Sequence, residues 1–324
     1  MHMRPIARAA REYYSQSLMA AHRASLLYRL GLAVAALGTI ATGAVLVDVL
    51  RGLSVQSTHA QHLRLLGQSL TAPAVNADAV VMLPLAAVGV VSVVFGLRAA
   101  AAQAFAQRRF LRALPVVGRL PAHPDVIVVR DHRLQAFCAG YLRPRVYVST
   151  ATASTLDRAE LDAVLAHEAH HRLRRDPLRI AAGRGLGEAL FFLPVLRRLT
   201  ERYCALAELS ADEAAVARTG GDPAPLASAM LRFGDVDPAV VGIAPERVDG
   251  LLGATPAWRL PCALLAGAAV SIGAVALLAW QVGRSALITT SLNPPVLSSQ
   301  PCILVLAGVP FVLVAAALWV MRRV

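Results

Sequence analysis

The residues with the plainest capacity for chemistry are His167, Glu168 and His171, in the run His167-Glu168-Ala169-His170-His171. On an α-helix, positions four apart differ by about 40° around the axis, so His167 and His171 can aim two imidazoles at one point. Two such nitrogens suit a zinc ion. Glu168, about 60° round from His171, can reach a water there as general base. The competing reading is an exposed helix that happens to carry histidines. A catalytic zinc takes three protein ligands and keeps one position open. Neither histidine is followed by the further histidine that a metzincin site needs. Glu208 opens a Glu-x-x-x-Asp spacing on a separate predicted helix, with Asp212 one turn on and on the same face. Glu208 is therefore the candidate third ligand, and Asp212 the candidate for orienting a ligand histidine from behind. Cys204 lies one turn before Glu208 and offers an alternative ligand, but a carboxylate suits a hydrolytic site better. Glu208 as an ordinary surface acid stays open on spacing alone.

These side chains need elements to hold them. Short strands are expected at 126–130, 137–140 and 145–149, where β-branched and aromatic residues cluster. Ser154 and Thr155 precede acidic residues, which marks a helix start. The motif helix should run from about Asp157 to Arg175, its apolar side formed by Leu161, Val164, Leu165 and Leu173 and its end set by Asp176-Pro177. A later helix from about Thr200 to Arg218, closed by Gly220-Gly221, carries Glu208 and Asp212. The spacing makes His170 a surface or packing residue, Asp176 a helix-end residue or arginine partner, and Glu213 a solvated acid. The stretch 234–260 reads as a linker, with a short helix within 245–252.

Composition places this domain at a membrane. The chain has 324 residues, 56% of them hydrophobic, and a mean hydropathy of +0.56. Charge-poor apolar spans run over 30–47, 79–97, 260–282 and 302–321, each near the length that crosses a bilayer. The net charge is +12 and every basic residue is arginine. The arginines cluster beside the spans, which fits topology signalling and anionic lipid; direct nucleic-acid binding is not expected. Their distribution is consistent with both termini and the 98–260 domain being cytoplasmic. None of Cys138, Cys204, Cys262 and Cys302 forms a Cys-x-x-Cys pair, so neither a zinc ribbon nor a redox motif is indicated. The expected organisation is an amphipathic cytoplasmic segment at 1–29, a transmembrane hairpin at 30–97, a basic juxtamembrane helix at 98–120, a zinc peptidase domain at 121–260 and a second transmembrane hairpin at 261–324.

Four segments together carry a resemblance: Leu142-Arg-Pro-Arg-Val-Tyr-Val-Ser149, Glu160-Leu-Asp-Ala-Val-Leu-Ala-His-Glu-Ala-His-His171, Arg174-Arg-Asp-Pro-Leu178 and Ala207-Glu-Leu-Ser-Ala-Asp212. Over about residues 120–255 the chain resembles the BlaR/MecR-type membrane metallopeptidases, with the HtpX and CAAX prenyl-protease group next in pattern. The resemblance implies a mainly α membrane protein with four transmembrane helices and a cytoplasmic α+β gluzincin-like domain built on a small sheet. It implies one zinc per chain held by His167, His171 and Glu208, with Glu168 as the catalytic base. It places the chain in the bacterial cytoplasmic membrane as a multi-pass protein, and makes a protein or peptide, a winged-helix repressor among the candidates, the expected substrate.

The sequence also departs from that family. Such sensors carry a penicillin-binding domain after the last span, whereas this sequence reaches Val324 just past its fourth. Their Ser-x-x-Lys motif cannot occur in a sequence without lysine, so β-lactam sensing by acylation is not expected. Ala205 stands where HtpX-like enzymes place an arginine. The oxyanion donor is left open among Arg202, Tyr203 and Tyr141. Regulatory proteolysis is thus the leading expectation. A membrane quality-control protease and a non-catalytic signalling scaffold are the rivals.

Overall fold

Ala- and Leu-rich sequence with few charges favours long helices, and two such helices open the chain: α1 (Arg4–Gly52) and α2 (Ala77–Ala113). The computed structural model describes residues 4–52, 54–55, 61–65, 68–72, 77–236, 247, 261–289 and 291–292. The chain divides into two units, Met1–Ile40 with Val91–Ile272 and Ala41–Val90 with Gly273–Val324. In the second unit, β1 (Ser54–Val55) pairs in parallel with the late strand β8 (Ser291–Leu292), and β2 (Gln61–Leu65) forms a hairpin with β3 (Gln68–Ala72).

The first unit holds the motif helix. After α2 come β4 (Val116–Leu120), β5 (His123–Val129), β6 (Ala136–Ala139) and β7 (Arg145–Ser149), a mixed sheet in the order β4-β5-β7-β6. The β5–β7 pairing is parallel and the two outer pairings are antiparallel, leaving β6 at an edge. Then follow α3 (Thr150–Thr155), α4 (Arg158–Arg174), α5 (Asp176–Ala189), α6 (Val195–Arg218) and α7 (Ala224–Val236), and later α8 (Cys262–Thr289). Val126, Val146 and Val148 of the sheet pack on Leu165 of α4. Arg172 pairs with Asp125 of β5 and fixes the other end of that contact. The largest core cluster joins α6, through Leu196, Leu199, Tyr203 and Leu206, to Ala24 and Leu27 of α1 and Ala268 of α8.

Helix α4 starts where a capping box sets it. Asp157 accepts from the Glu160 amide at 2.8 Å, and Glu160 accepts from the Asp157 amide at 3.0 Å. The cap is therefore Asp157, whereas the expected Ser154 and Thr155 lie in the separate helix α3, which Ser149 caps. Glu160 is buried and also binds Ser228 and Arg232, which locks α7 across α4. Sequence patterning alone showed neither α7 nor β4. Each has one side that becomes meaningful only once its partner, α4 or β5, is in place.

Among the described residues two helical stretches are long and apolar enough to cross a membrane, Ala21–Val47 and Ala86–Ala113, not four. The expected 30–47 lies within α1, which continues unbroken through Arg23 and Arg29, and the expected 79–97 lies within α2, which runs on past Arg98 to Ala113. The expected third span, 260–282, falls on α8, where Cys262–Leu277 is a shorter apolar stretch. The fourth, 302–321, lies outside the described residues, as does Cys302. Only 28% and 17% of the two span windows are buried, and Ile40 and Leu97 are largely exposed.

Candidate metal centre and active site

The structure brings His167, His171 and Glu208 together from α4 and α6, with one ligand atom of each inside a 4.8 Å cluster. The two Nε2 atoms are 3.2 Å apart. Glu208 places one oxygen 3.5 Å from His167 Nε2 and the other 3.5 Å from His171 Nε2. Ligands about 2.0–2.1 Å from a tetrahedral zinc stand roughly 3.3–3.4 Å from one another. The two histidine nitrogens therefore already hold the spacing of two corners of such a site, and Glu208 brings one carboxylate oxygen close to each of them.

Each imidazole is turned by an aspartate behind it. His171 donates from Nδ1 to Asp176 Oδ2 at 2.8 Å, which leaves Nε2 as the free lone pair. His167 Nδ1 lies 2.9 Å from Asp212 Oδ1, an ion-pair approach without the alignment of a hydrogen bond. Asp212 is itself gripped by Arg247, whose Nε and one terminal nitrogen donate at 2.8 and 2.7 Å. The other terminal nitrogen sits 3.4 Å from Glu208. Asp176 accepts a second bond from the buried Tyr203 hydroxyl.

Asp176 reaches His171 because of one unusual residue. Arg175 adopts the left-handed conformation, φ 55°, the only non-glycine among the described residues to do so. It ends α4 and at once starts α5, so Asp176 turns back beneath the helix it has just left. The sequence reading of Asp176 as a helix-end residue is correct for its place and misses its histidine partner. Arg247 was missed as well. It lies within the segment read as a short helix, and the described residue is helical, but its partner is 35 positions earlier. The cluster of Glu208, Asp212 and Glu213 on one helix was the available signal that a cation must come from elsewhere.

The electrostatics call for a cation at this point. Burial opposes protonation of His167, but Asp212 and Glu208 outweigh it and raise its pKa to about 10. Burial likewise opposes ionisation of Glu208, yet the histidines and Arg247 pull it down to about 2. Asp212 and Asp176 also stay ionised against burial, through Arg247 with His167 and through His171 with Tyr203 respectively. Two histidines thus stand among carboxylates that stabilise positive charge where the Nε2 atoms converge. The donor set, its spacing and this charge all fit zinc.

Glu168 is buried and shares with the three donors a cavity of about 790 Å³. Its walls include Gln103 and Phe110 of α2, Phe137 and Cys138 of β6, and Arg184 of α5. Of the three oxyanion candidates, Tyr141 lines this cavity, Tyr203 is committed to Asp176, and Arg202 is exposed on α6. His170 is hydrogen-bonded to Ser210 at 2.9 Å, and burial with Arg174 lowers its pKa to about 4, so it is a neutral packing residue. Glu213 is not a solvated acid: one carboxylate oxygen is buried without a partner, and burial beside Asp212 raises its pKa to about 7. Cys204 is half-buried and outside the three-donor cluster.

A His-His-Glu donor set on two crossing helices, beside a short sheet and with a glutamate next to the first histidine, defines a metallopeptidase-type centre. The family model for peptidase family M48 matches residues 100–216, a stretch running from the end of α2 through Glu208 and Asp212. The match supports the metallopeptidase class and the hydrolase activity that goes with it. It does not single out the BlaR/MecR type. No curated protein and no solved structure matches the chain.

Proposed function

We propose that this chain is an integral-membrane zinc endopeptidase whose ligands are His167, His171 and Glu208. The observation that carries the reading is the three-donor cluster, with both histidines oriented from behind and Glu168 in the same cavity. Zinc, when bound, supplies Lewis acidity toward water and toward a peptide carbonyl. Glu168 takes a proton from the attacking water and passes it to the leaving amine. Asp212 and Asp176 keep the two Nε2 atoms convergent through both steps. Edge strand β6 offers unpaired backbone groups beside Phe137 and Cys138, so an extended substrate adds to the sheet there.

Two long apolar helices with little burial support a membrane setting, and the arginine distribution is consistent with the peptidase unit on the cytoplasmic side. The substrate in this reading is a cytoplasmic protein such as a winged-helix repressor, and cleavage is regulatory. One observation favours a second substrate class. Gln103, Gln107 and Phe110 lie in the candidate span of α2 and line the catalytic cavity, which suits a membrane-protein substrate in quality control. Purified full-length Glu168→Gln should retain zinc and lose proteolysis of both an adjacent-gene repressor and a misfolded membrane protein. Full activity in that variant overturns the reading, and the wild-type preference between the two substrates decides the class.

A further inference from the structure

The carboxylate behind His171 is held by helix α1, an element outside the matched region and, among the described residues, one of two with a stretch long and apolar enough to cross a membrane. Two routes converge on Asp176. In the first, Tyr28 of α1 packs its ring against Tyr203 at 5.5 Å between centroids, and the Tyr203 hydroxyl donates to Asp176. Arg179 sits over the Tyr28 ring, 5.4 Å from its centroid. In the second, Arg174 donates from one terminal nitrogen to the Ala21 carbonyl at 3.3 Å and to Ser25 Oγ at 2.9 Å. Its Nε faces Asp176 Oδ1 at 3.9 Å. Ala24 and Leu27, fully buried between these contacts, seat the same helical turns in the core beside Tyr203.

We propose that the α1 segment Ala21–Tyr28 is a positioning element of the metal site, acting on His171 through Tyr203, Arg174 and Asp176. The inference rests on the zinc reading given above. The arrangement explains why two polar side chains of α1 and α4, Ser25 and Arg174, meet at a helix surface that apolar packing alone could close. It also means that any force moving α1 along its axis is felt at a metal ligand within a chain of three contacts. Partners of a ligand histidine typically change metal affinity by about 10–100-fold when removed. A group acting one step further out should give the lower part of that range. The segment is a positioning element only, because none of its side chains lines the catalytic cavity.

The test is a set of double-mutant cycles on the detergent-purified full chain, read as the zinc dissociation constant in competition with a chromophoric chelator. Tyr28→Leu, Ser25→Ala and Tyr203→Phe are each made alone and in an Asp176→Asn background. Tyr203→Phe should weaken zinc about tenfold, and the two α1 variants several-fold. In the Asp176→Asn background each should add less than about twofold, because the route through which it acts is already cut. Equal losses in both backgrounds, or no loss in either, overturn the inference while leaving the zinc site intact. A wild-type chain that binds no zinc overturns the zinc reading and this inference together. Should Tyr28→Leu fail to fold, Ser25→Ala and Tyr203→Phe each remove only a hydroxyl, and the same comparison of backgrounds is made with those two alone.

Discussion

The two histidines sit one helical turn apart on α4 and face the same point, yet they are held in different ways. Behind His167 stands Asp212, almost wholly buried and clamped by two nitrogens of the Arg247 guanidinium. Behind His171 stands Asp176, bonded to a phenol and only loosely approached by Arg174. One support is a charge pair reaching across from a distant segment. The other is a carboxylate held by a phenol hydroxyl and packed into the core beside α1. The difference teaches that orientation and stability are separable here. The His167 side concentrates stability in its support, because removing either partner strands a buried charge. The His171 side concentrates sensitivity, because its support runs through packing that another helix can disturb.

The largest effect should come from breaking the charged side. Asp212→Ala removes both short Arg247 contacts, leaving that guanidinium only its longer approach to Glu208, and leaves His167 unoriented. It should cost about 3–5 kcal/mol in denaturant unfolding as well as weakening zinc. Asp176→Asn should separate the two properties. Zinc affinity should fall about 10–100-fold, while the amide oxygen still accepts from Tyr203 and unfolding changes by only about 1–2 kcal/mol. Equal stability losses in the two variants would erase the distinction. Ser210→Ala removes the partner of His170, not of a ligand, and should cost about 1 kcal/mol with zinc stoichiometry unchanged.

The smallest effect concerns Glu213, next to Asp212 and outside both supports. Its pKa rises from 4.5 to about 7 in the folded chain through burial first and Asp212 second. The folded state therefore binds this proton more tightly than the unfolded one. The associated stability is fully present below pH 4.5 and is lost as pH rises through about 7. Glu213→Gln should melt increasingly above the wild type across that window, and a constant difference with pH would contradict the assignment.

Much of this site was legible in spacing. His167, Glu168 and His171 follow helical geometry, and so do Glu208 and Asp212, since a period of 3.6 residues needs no tertiary knowledge. Strands β5, β6 and β7 were also visible within a few residues, because their alternation is local. What escaped depends on distant partners or on unusual backbone. Asp176 was in plain view, but its turn back to His171 requires Arg175 in a conformation arginine seldom adopts. Arg247 carries no local signature, and its role exists only because α6 delivers Asp212 to it. The apolar runs 30–47 and 79–97 were legible as parts of helices, and each helix continues through the arginines beside its run without cost to its backbone hydrogen bonds.

The central claim is that His167, His171 and Glu208 form one zinc site. Metal analysis of the purified full-length chain tests it most directly. The account predicts about one zinc per wild-type chain, retained in Glu168→Gln and lost in His171→Ala and Glu208→Ala. A folded wild-type chain without zinc, or undiminished zinc in the ligand variants, would contradict it.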